Sequence, residues 1–349
     1  MKTKIIRVKD DQIDNSELEV IDEAFKAGKL VVFPTETVYG LGANGLDEEA
    51  SMNIFRAKGR PADNPLILHI AEVSQIRELV DEIPDIAVNL IDMFWPGPLT
   101  LIFKRSKMIS DVITGGLDTV AIRMPSHPLA RKILQHTRLP IAAPSANLSG
   151  KPSPTSLERV VEDLDGKVDI IVDGGRTNYG IESTVVDLTE NPPIILRPGG
   201  VTTEDLKVIV PDIRTDSTIL DASDDRIPKS PGQKYKHYAP IAECYTFAGA
   251  LDIIVKNINK QIRENADKKI AVLATEETKD SYEGAYMVIN LGSRDNLIEV
   301  AHNLFEALRQ CDDSKVDVIY AEGFEFRGLG VGIMNRLLKA SSGRVIFGL

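Results

Sequence analysis

The stretch LVVFPTETVYGLG fills residues 30–42 and joins an apolar run to a loop of polar groups. Its first four residues are all apolar, which predicts a buried strand. In PTETVYGLG, at residues 34–42, proline and glycine end the regular structure, while two threonines, a glutamate and a tyrosine stay close together. Polar loops that follow buried strands often carry binding groups. We therefore expect residues 34–42 to form a loop and one wall of a functional site.

Upstream of this stretch, the sequence predicts a short strand followed by a helix. Residues 4–8 alternate between polar and apolar side chains, as a half-buried strand does. Ser16 and Glu19 have the spacing of a capping box, in which two side chains bond the free amides at a helix start. Gly28 would then end this helix as its C-cap.

Downstream of the stretch, strands and helices alternate. A helix is predicted over residues 47–57. The predicted strands are residues 66–70, 99–103, 120–123, 141–143, 170–172 and 184–188. Helices fall between several of these strands, which is typical of an α/β domain with an open sheet.

The chain changes character after residue 210. From 211 to 240 the apolar periodicity gives way to Asp, Ser, Pro and Lys, as in an interdomain linker. Further strands are predicted near residues 242–247, 270–274, 286–289 and 316–320, with helices between them. This order predicts a small parallel sheet with helices on both faces. The expected division is a first domain over 1–210, a linker over 211–240 and a second domain over 241–349.

Composition narrows the function classes. The 349 residues suffice for two domains, and 41 Lys and Arg against 52 Asp and Glu give a formal charge of -11. A wide nucleic-acid footprint needs the opposite sign, so extended nucleic-acid binding is not expected. Cys244 and Cys311 are too far apart for a CxxC pattern, and we expect reduced, partly buried thiols. Without a signal peptide or a membrane-length apolar run, the sequence predicts a cytoplasmic protein with no membrane partner.

Two cations and an amide lie on one proline-stiffened loop. Lys58 and Arg60 precede Asn64, and prolines at 61 and 65 restrict the backbone between them. Lysine as a point charge and arginine as a planar fork both suit phosphate oxygens. A solvated basic turn has the same spacing, so both interpretations stay open. His69, inside an apolar strand, is most simply a hydrogen-bonded core residue.

Three further motifs are individually weak. Arg123 ends a predicted strand, where its guanidinium would bind a carboxylate or form a structural ion pair. PSANLSG at 144–150 offers small side chains and free amides, as phosphate-binding loops and ordinary turns both do. GLGVG at 328–332 is more simply a close-packing motif than an anion site. The sequence has no P-loop, no GxGxxG after a first strand and no HExxH.

Taken together, six blocks resemble the YrdC-type threonylcarbamoyl-AMP synthases. They are PTETVYGLG at 34–42, KGRPADNPL at 58–66, FWPGPLT at 94–100, VAIRMP at 120–125, APSAN at 143–147 and ESTVVD at 182–187. The resemblance spans about residues 14–205 in the same order. LRPG at 196–199, KYKHYAP at 234–240 and the extra C-terminal region are similar to the long, two-domain form of the family.

The resemblance implies a fold and an activity. The first domain would be an open, twisted mixed sheet with the site on its concave face. A smaller Rossmann-like doubly wound domain would follow it. The linker between the two domains would cover the pocket as a lid. The activity would be condensation of L-threonine, bicarbonate and ATP into a threonylcarbamoyl adenylate, with release of pyrophosphate, for threonylcarbamoyladenosine in tRNA. Mg²⁺ would be carried by the ATP phosphates without a protein metal site, and a downstream tRNA threonylcarbamoyl transferase complex would receive the product.

The resemblance also assigns roles to individual residues. The group that would hold bicarbonate and the ATP phosphates, and so carry catalysis, is Lys58, Arg60, Ser145 and Asn147. The further ATP contacts would be Asn64, Thr119, Ser153, Arg197 and, from the linker, Tyr235. The L-threonine contacts would be Thr37, His69, Arg123, Ser183 and the backbone of Ala143.

Two other functions remain open from the sequence. An RNA-binding module is one, although the charge of -11 opposes it. Carbamoyl transfer from carbamoyl phosphate is the other, because larger proteins with this type of domain perform it. Those proteins carry zinc fingers, for which two cysteines leave no room.

Overall fold

Residues 2–9, 11–220 and 238–347 are described in this computed structural model, and they form two sheets. The strands of the first sheet are β1 Lys4–Arg7, β2 Val31–Pro34, β3 Tyr39–Asn44, β4 Ile67–His69, β5 Leu99–Lys104, β6 Thr119–Arg123, β7 Ile141–Ala142, β8 Ile170–Asp173, β9 Thr184–Asp187, β10 Ile194–Arg197 and β11 Arg214–Thr215. The helices of this part are α1 Asn15–Lys26, α2 Glu48–Lys58, α3 Ile76–Leu79, α4 Asp85–Phe94, α5 Asp111–Thr114, α6 Pro128–Thr137, α7 Leu157–Leu164 and α8 Thr203–Lys207.

The first sheet is mixed, with the strand order β1-β8-β2-β3-β7-β4-β6-β5-β9-β10-β11. Its edge strand β1 pairs in parallel with β8, which comes much later in the chain. Helices α1 and α6 pack on one face through an apolar cluster that includes Phe25 and Ile133. A larger cluster, with Ile54 of α2 and Leu90 of α4, fills the other face. Because helices cover both faces, most strands are apolar throughout.

The second sheet lies in the C-terminal part and is entirely parallel. Its strands are β12 Glu243–Ala248, β13 Ile270–Ala274, β14 Met287–Asn290, β15 Val318–Glu322 and β16 Val345–Phe347, in the order β14-β13-β15-β12-β16. The helices are α9 Leu251–Glu264, α10 Leu297–Asp313 and α11 Leu329–Ala340. Helix α9 belongs to one apolar cluster, whereas α10 and α11 belong to the cluster on the opposite face. The predicted fold class, a mixed α/β sheet followed by a smaller doubly wound domain, is confirmed.

Several local predictions were wrong. The cap of α1 is Asp14, whose carboxylate accepts from the Glu17 amide at 2.8 Å, so the capping box lies two residues before the predicted one. Ser16 instead donates to Asp14. The C-cap is Ala27, and Gly28 follows it with φ 71. The predicted loop 34–42 ends early, because β3 begins at Tyr39 and pairs with β2 as an antiparallel hairpin.

The two parts of the molecule meet at α10 and α11. Arg309 of α10 is buried and donates to Asp163 Oδ2 at 2.7 Å and to the Pro152 carbonyl at 2.6 Å. A Cβ at Gly180 would come within 2.4 Å of the His302 backbone, so α10 packs directly against this glycine. Buried contacts of this kind fix the second domain against the first.

Two expectations from composition concern the whole chain. Cys244 and Cys311 are free, as predicted, but they are fully rather than partly buried, and burial raises the pKa of Cys244 to about 12. Among the helices of the described residues, none combines the length and the apolarity needed to cross a bilayer.

Candidate active site

A cavity opens where the β2–β3 turn, the ends of β4, β6 and β7, and the segment before β9 come together. The predicted site residues that line this cavity are Thr37, Arg60, His69, Arg123, Ala143, Ser145, Asn147, Ser153, Ser183 and Arg197. They come from segments far apart in sequence. The sheet therefore brings most of the predicted site together at one place.

Arg123 and His69 are neighbours because of strand register. Strands β4 and β6 are parallel, and their last residues, His69 and Arg123, are partners. The Arg123 guanidinium is buried and donates to Thr37 Oγ1 at 2.9 Å and to the Gly97 carbonyl at 3.3 Å. Its other terminal nitrogen lies 2.7 Å from Glu36 Oε1. The two interpretations of Arg123, carboxylate binding and a structural ion pair, are thus compatible, since its guanidinium can pair with Glu36 and still face the cavity.

Glu36 is the counterion of this part of the site. Its carboxylate is 4% exposed, and burial alone would raise its pKa. The Arg123 cation and hydrogen bonds outweigh burial, so the pKa of Glu36 is lower than its ordinary value of 4.5. Glu36 was not predicted as a site residue, although it lies inside the PTETVYGLG block.

His69 is neutral. Burial and the nearby Arg123 cation lower the pKa of His69 to about 3. Its Nδ1 lies 3.2 Å from the Ile67 carbonyl, which can only accept, so Nδ1 carries the proton. Nε2 then holds the lone pair. His69 is therefore a hydrogen-bonded core histidine, as the sequence suggests, and it also lines the cavity.

Lys58 lies behind the cavity wall rather than on it. It is 3% exposed, and its ammonium donates to the carbonyls of Ser145 and Asn147. Burial and the neighbouring Arg60 lower the pKa of Lys58 well below its ordinary value. A polyphosphate close to this ammonium would raise that pKa again, because an anion favours the charged form. Lys58 is thus not the solvated basic turn that its spacing alone allows.

Arg60 and Asn64 fold back on each other. Arg60 lines the cavity and donates to the carbonyls of Asn64 at 3.2 Å and Pro65 at 3.1 Å. The Asn64 side chain is 1% exposed, and within the described residues its amide nitrogen and oxygen have no hydrogen-bond partner. Buried amides without partners are rare in proteins. The Asn64 amide, beside Arg60, is such an exception among the described residues.

The loop after β7 is held by its own side chains. Ser145 donates to Asn147 Oδ1 at 2.6 Å, and the Asn147 amide nitrogen donates to the carbonyls of Leu148 at 2.8 Å and Lys151 at 2.9 Å. The Ala143 N–H already donates to the Ile67 carbonyl at 3.0 Å. A ligand contact through the Ala143 backbone would therefore use the carbonyl oxygen.

Ser183 and Arg197 form the opposite wall. Arg197 ends β10 and donates to the Ser183 carbonyl at 3.0 Å and to Ser183 Oγ at 3.1 Å. The Ser183 hydroxyl also bonds Thr100 Oγ1 at 2.8 Å. Burial lowers the pKa of Arg197 to about 10, which still leaves it a cation at neutral pH. A positive group thus stands on this wall as well.

Two further residues that line the cavity are Glu182, which was not predicted as a site residue, and Tyr238, which belongs to the linker predicted to act as a lid. Glu182 accepts a hydrogen bond from Ser153 and ion-pairs with Arg336 of α11 at 3.1 Å. Tyr238 stacks on Phe305 of α10, with 4.9 Å between ring centroids, and burial raises its pKa to about 12. Glu182 stands in the ESTVVD block and Tyr238 in KYKHYAP, so both had a signal.

Three predicted residues within the described part of the chain are not on the cavity wall, and a fourth lies outside that part. Lys58 lies next to the wall through its bonds to the carbonyls of Ser145 and Asn147, and Asn64 does so through the bond that its carbonyl accepts from Arg60. Thr119 starts β6, the end opposite Arg123, and lines a separate surface groove with Lys104. Tyr235, like most of the predicted linker, lies outside the described residues.

Comparison with known proteins agrees with this arrangement. The family described as "Telomere recombination" matches residues 23–199, and the family described as "Threonylcarbamoyl-AMP synthase, C-terminal domain" matches residues 201–342. The chain belongs to the threonylcarbamoyl-AMP synthase family. The resemblance predicted from the sequence blocks is thereby confirmed, in its long, two-domain form.

Individual members of this family match the chain along nearly its whole length. The threonylcarbamoyl-AMP synthase of Pyrococcus abyssi is 50% identical over 346 residues, 99% of each chain. That of Bacillus subtilis is 46% identical and covers 96% of each. The crystal structure of P. abyssi Sua5 complexed with L-threonine superposes with a TM-score of 0.94, covering 99% of this chain and 100% of that one. The predicted class, an enzyme with threonylcarbamoyl-AMP synthase function, is confirmed.

Proposed function

We propose that this enzyme condenses L-threonine, bicarbonate and ATP into L-threonylcarbamoyl adenylate and pyrophosphate. The product would pass to a downstream tRNA threonylcarbamoyl transferase complex for the threonylcarbamoyladenosine modification. One observation carries the proposal: a single cavity holds the buried Arg123 guanidinium beside a neutral His69 and also receives Arg60, Ser145 and Asn147. An amino acid and a polyphosphate thus have separate partners within reach of each other.

The threonine end of the cavity is the Arg123 side. The Arg123 guanidinium would bind the substrate carboxylate, since arginine and carboxylate make charge-assisted bonds. The Ala143 carbonyl and the His69 Nε2 lone pair are acceptors for the ammonium and the hydroxyl, and Thr37 and Ser183 offer hydroxyls. The crystal structure of the P. abyssi relative with L-threonine supports the amino-acid assignment.

The phosphate end is the Arg60 side. Arg60, Ser145 and Asn147, with Lys58 behind them, would hold bicarbonate and the ATP phosphates, and Ser153 and Arg197 would contact the nucleotide. The buried, unpartnered amide of Asn64 supports this assignment, because a nucleotide beside Arg60 would complete its hydrogen bonds. The roles of Thr119 and Tyr235 as ATP contacts stay predictions.

The reaction needs positioned reactants and positive charge rather than an enzyme nucleophile. The threonine ammonium loses a proton to solvent, the amine attacks the bicarbonate carbon, and loss of water leaves an N-carboxylate. An oxygen of this carboxylate then forms a bond to the α-phosphorus of ATP, and the bond to the β-phosphate oxygen breaks, releasing pyrophosphate. Lys58 and Arg60 would stabilise the negative charge that develops on the phosphoryl oxygens. Binding the three reactants in one cavity supplies their orientation.

Mg²⁺ would enter on the ATP phosphates, where it neutralises charge when bound. The lining residues fit a metal carried by the substrate. Within the described part of the chain, Glu182 is the carboxylate on the cavity wall, and it is already engaged by Ser153 and Arg336. We further propose the division into a catalytic domain over 1–210, a linker over 211–240 that acts as the lid, and a C-terminal domain over 241–349, in a cytoplasmic protein.

The test is to supply ATP, Mg²⁺ and ¹⁴C-bicarbonate with each amino acid in turn and to measure pyrophosphate and labelled adenylate. We expect both products only when L-threonine and bicarbonate are present together. Pyrophosphate released equally well without bicarbonate would refute the order of chemistry. Carbamoyl phosphate as a better carbon donor would favour carbamoyl transfer, and salt-resistant RNA binding without adenylate would favour an RNA-binding module.

A further inference from the structure

A cation from the second domain lies directly behind the cavity. Arg336 of α11 is fully buried, and its Nε lies 3.1 Å from Glu182 Oε2. Its terminal nitrogens donate to the carbonyls of Pro198 and Glu182. These three groups belong to the first domain, and Arg336 also donates to Gly332 and Asn335 of its own helix. A guanidinium makes such a set of bonds because its five donors have a fixed planar geometry.

Arg336 reaches the cavity through Glu182. One carboxylate oxygen of Glu182 accepts from Arg336, and the other accepts from the Ser153 hydroxyl. Both Glu182 and Ser153 line the cavity. A side chain of the other domain is thus connected to the Ser153 hydroxyl through one carboxylate, to which Tyr238 is also hydrogen-bonded.

Helix α11 is built to approach this closely. A Cβ at Gly332 would lie 3.2 Å from Ile181 Cδ1 and 3.6 Å from Gly199 Cα. The helix therefore packs closely against the segments that flank Glu182 and Pro198. The Arg336 guanidinium also lies 5.9 Å from the centre of the Tyr238 ring, another cavity residue.

We propose that Arg336 is a positioning residue for the active site: it orients Glu182, and through it the Ser153 hydroxyl, on the ATP side of the cavity. The second domain is then part of the active site and does more than anchor a linker. This inference rests on the proposed function for its ligand, ATP, but its geometry comes from the described contacts alone. Arg336 itself does not line the cavity, so it acts only through its partners.

Removing Arg336 would change the charge on the cavity wall as well as the orientation of Glu182. Without Arg336, the buried Glu182 carboxylate would keep Arg197 as a nearby cation but would lose its direct ion pair. An unpaired carboxylate on the wall would repel the phosphates of ATP. The expected loss is therefore larger for ATP than for L-threonine, whose proposed partner Arg123 has its own contacts with Thr37 and Glu36.

The experiment compares Arg336→Gln and Arg336→Lys with Arg159→Gln. Arg159 also crosses the domain interface, with Nε 3.0 Å and Nη2 2.7 Å from Glu306, and it does not line the cavity. We measure the KM for ATP, the Kd for L-threonine by calorimetry and the melting temperature. Arg336→Gln should raise the KM for ATP by about 10-fold or more, with the Kd for L-threonine within about three-fold. Arg336→Lys should be intermediate, and Arg159→Gln should change only the melting temperature.

A double-mutant cycle removes the ambiguity of misfolding. Glu182→Gln should raise the KM for ATP. The double variant Glu182→Gln/Arg336→Lys should have a KM for ATP no higher than that of the single variant with the higher KM, because both changes break the same chain of contacts. Additive effects, or an Arg336→Gln variant that only melts earlier, would overturn the proposal. If the unchanged protein makes no adenylate, the proposed function fails instead, and ATP binding by calorimetry still tests Arg336.

Discussion

The ion pair between Arg123 and Glu36 allows substrate binding to be separated from folding. Replacing Arg123 alone by Met would leave a carboxylate that is 4% exposed without its cation. Breaking a buried pair in this way costs about 3–5 kcal/mol of unfolding free energy. Threonine binding should weaken as well, but a destabilised protein makes that loss difficult to interpret. The informative control is the double variant Glu36→Gln/Arg123→Met, which removes both charges.

We expect the double variant to recover most of the unfolding free energy but none of the threonine affinity. A desolvated carboxylate–guanidinium contact is worth about 2–4 kcal/mol, which corresponds to a roughly 30- to 700-fold higher Kd. Calorimetry should show this loss for L-threonine, with ATP affinity nearly unchanged. Equal losses for both ligands, or recovery of threonine binding in the double variant, would refute the assignment of Arg123.

The contribution of Glu36 to the pH dependence of unfolding free energy should change sign between the unchanged protein and the Arg123→Met variant. In the unchanged protein, the pKa of Glu36 is depressed, so its stabilising contribution is present above the ordinary value of 4.5 and is lost as the pH falls through the folded-state pKa. In Arg123→Met, burial acts without the cation and raises that pKa. The folded state then binds more protons than the unfolded one, and the variant gains stability as pH falls from 7 to 5. Urea unfolding at both pH values, referenced to the double variant, measures this gain.

Three further predictions concern other parts of the site. Lys58→Ala or Arg60→Ala should each cut kcat by about 100-fold, measured by pyrophosphate release, with the exposed Arg56→Ala as control; a change confined to the KM for ATP would make them binding residues only. The pKa of His69 is about 3, below the ordinary 6.5, so the unfolding free energy that His69 contributes is lost as the pH falls from 6.5 towards 3. Urea unfolding of His69→Gln over this pH range should show less of this loss. Arg309→Met should lower the unfolding free energy by about 1.5–3 kcal/mol, since it removes the interdomain partner of the buried Asp163 carboxylate, which keeps its ion pair with Lys151; calorimetric melting equal to that of the unchanged protein would contradict this.

The sequence predicts the elements of the first domain better than their ends. Two overlapping capping boxes are present, Asp14 with Glu17 and Ser16 with Glu19, and only three-dimensional packing selects between them. Strand β3 was missed because its glycines suggest a loop. A Cβ at Gly42 would come within 2.7 Å of the Phe33 ring, so here glycine allows two central strands to pack closely.

The site was predicted where its residues lie in contiguous blocks and missed where they act across the fold. Arg123 and His69 stand at the ends of strands, and their pairing follows from β4 and β6 being neighbours. Arg336 lies 154 residues from Glu182, in a helix whose sequence contains no separate signal for this contact. Ion pairs at such separations depend on how two domains dock, which periodicity and local motifs do not encode.

The position of β1 at the edge of the first sheet has a consequence for biosynthesis. Its partner is β8, and the Thr3 hydroxyl bonds the Val168 carbonyl, 165 residues further along the chain. At about 5–20 residues per second, a ribosome takes roughly 10–30 s to make the intervening segment. During that interval the N-terminal segment has left the exit tunnel with its apolar Ile6 uncovered and no strand to join. Strand β1 is therefore translated well before its partner and joins the sheet late, which gives a nascent-chain chaperone a long opportunity to bind it.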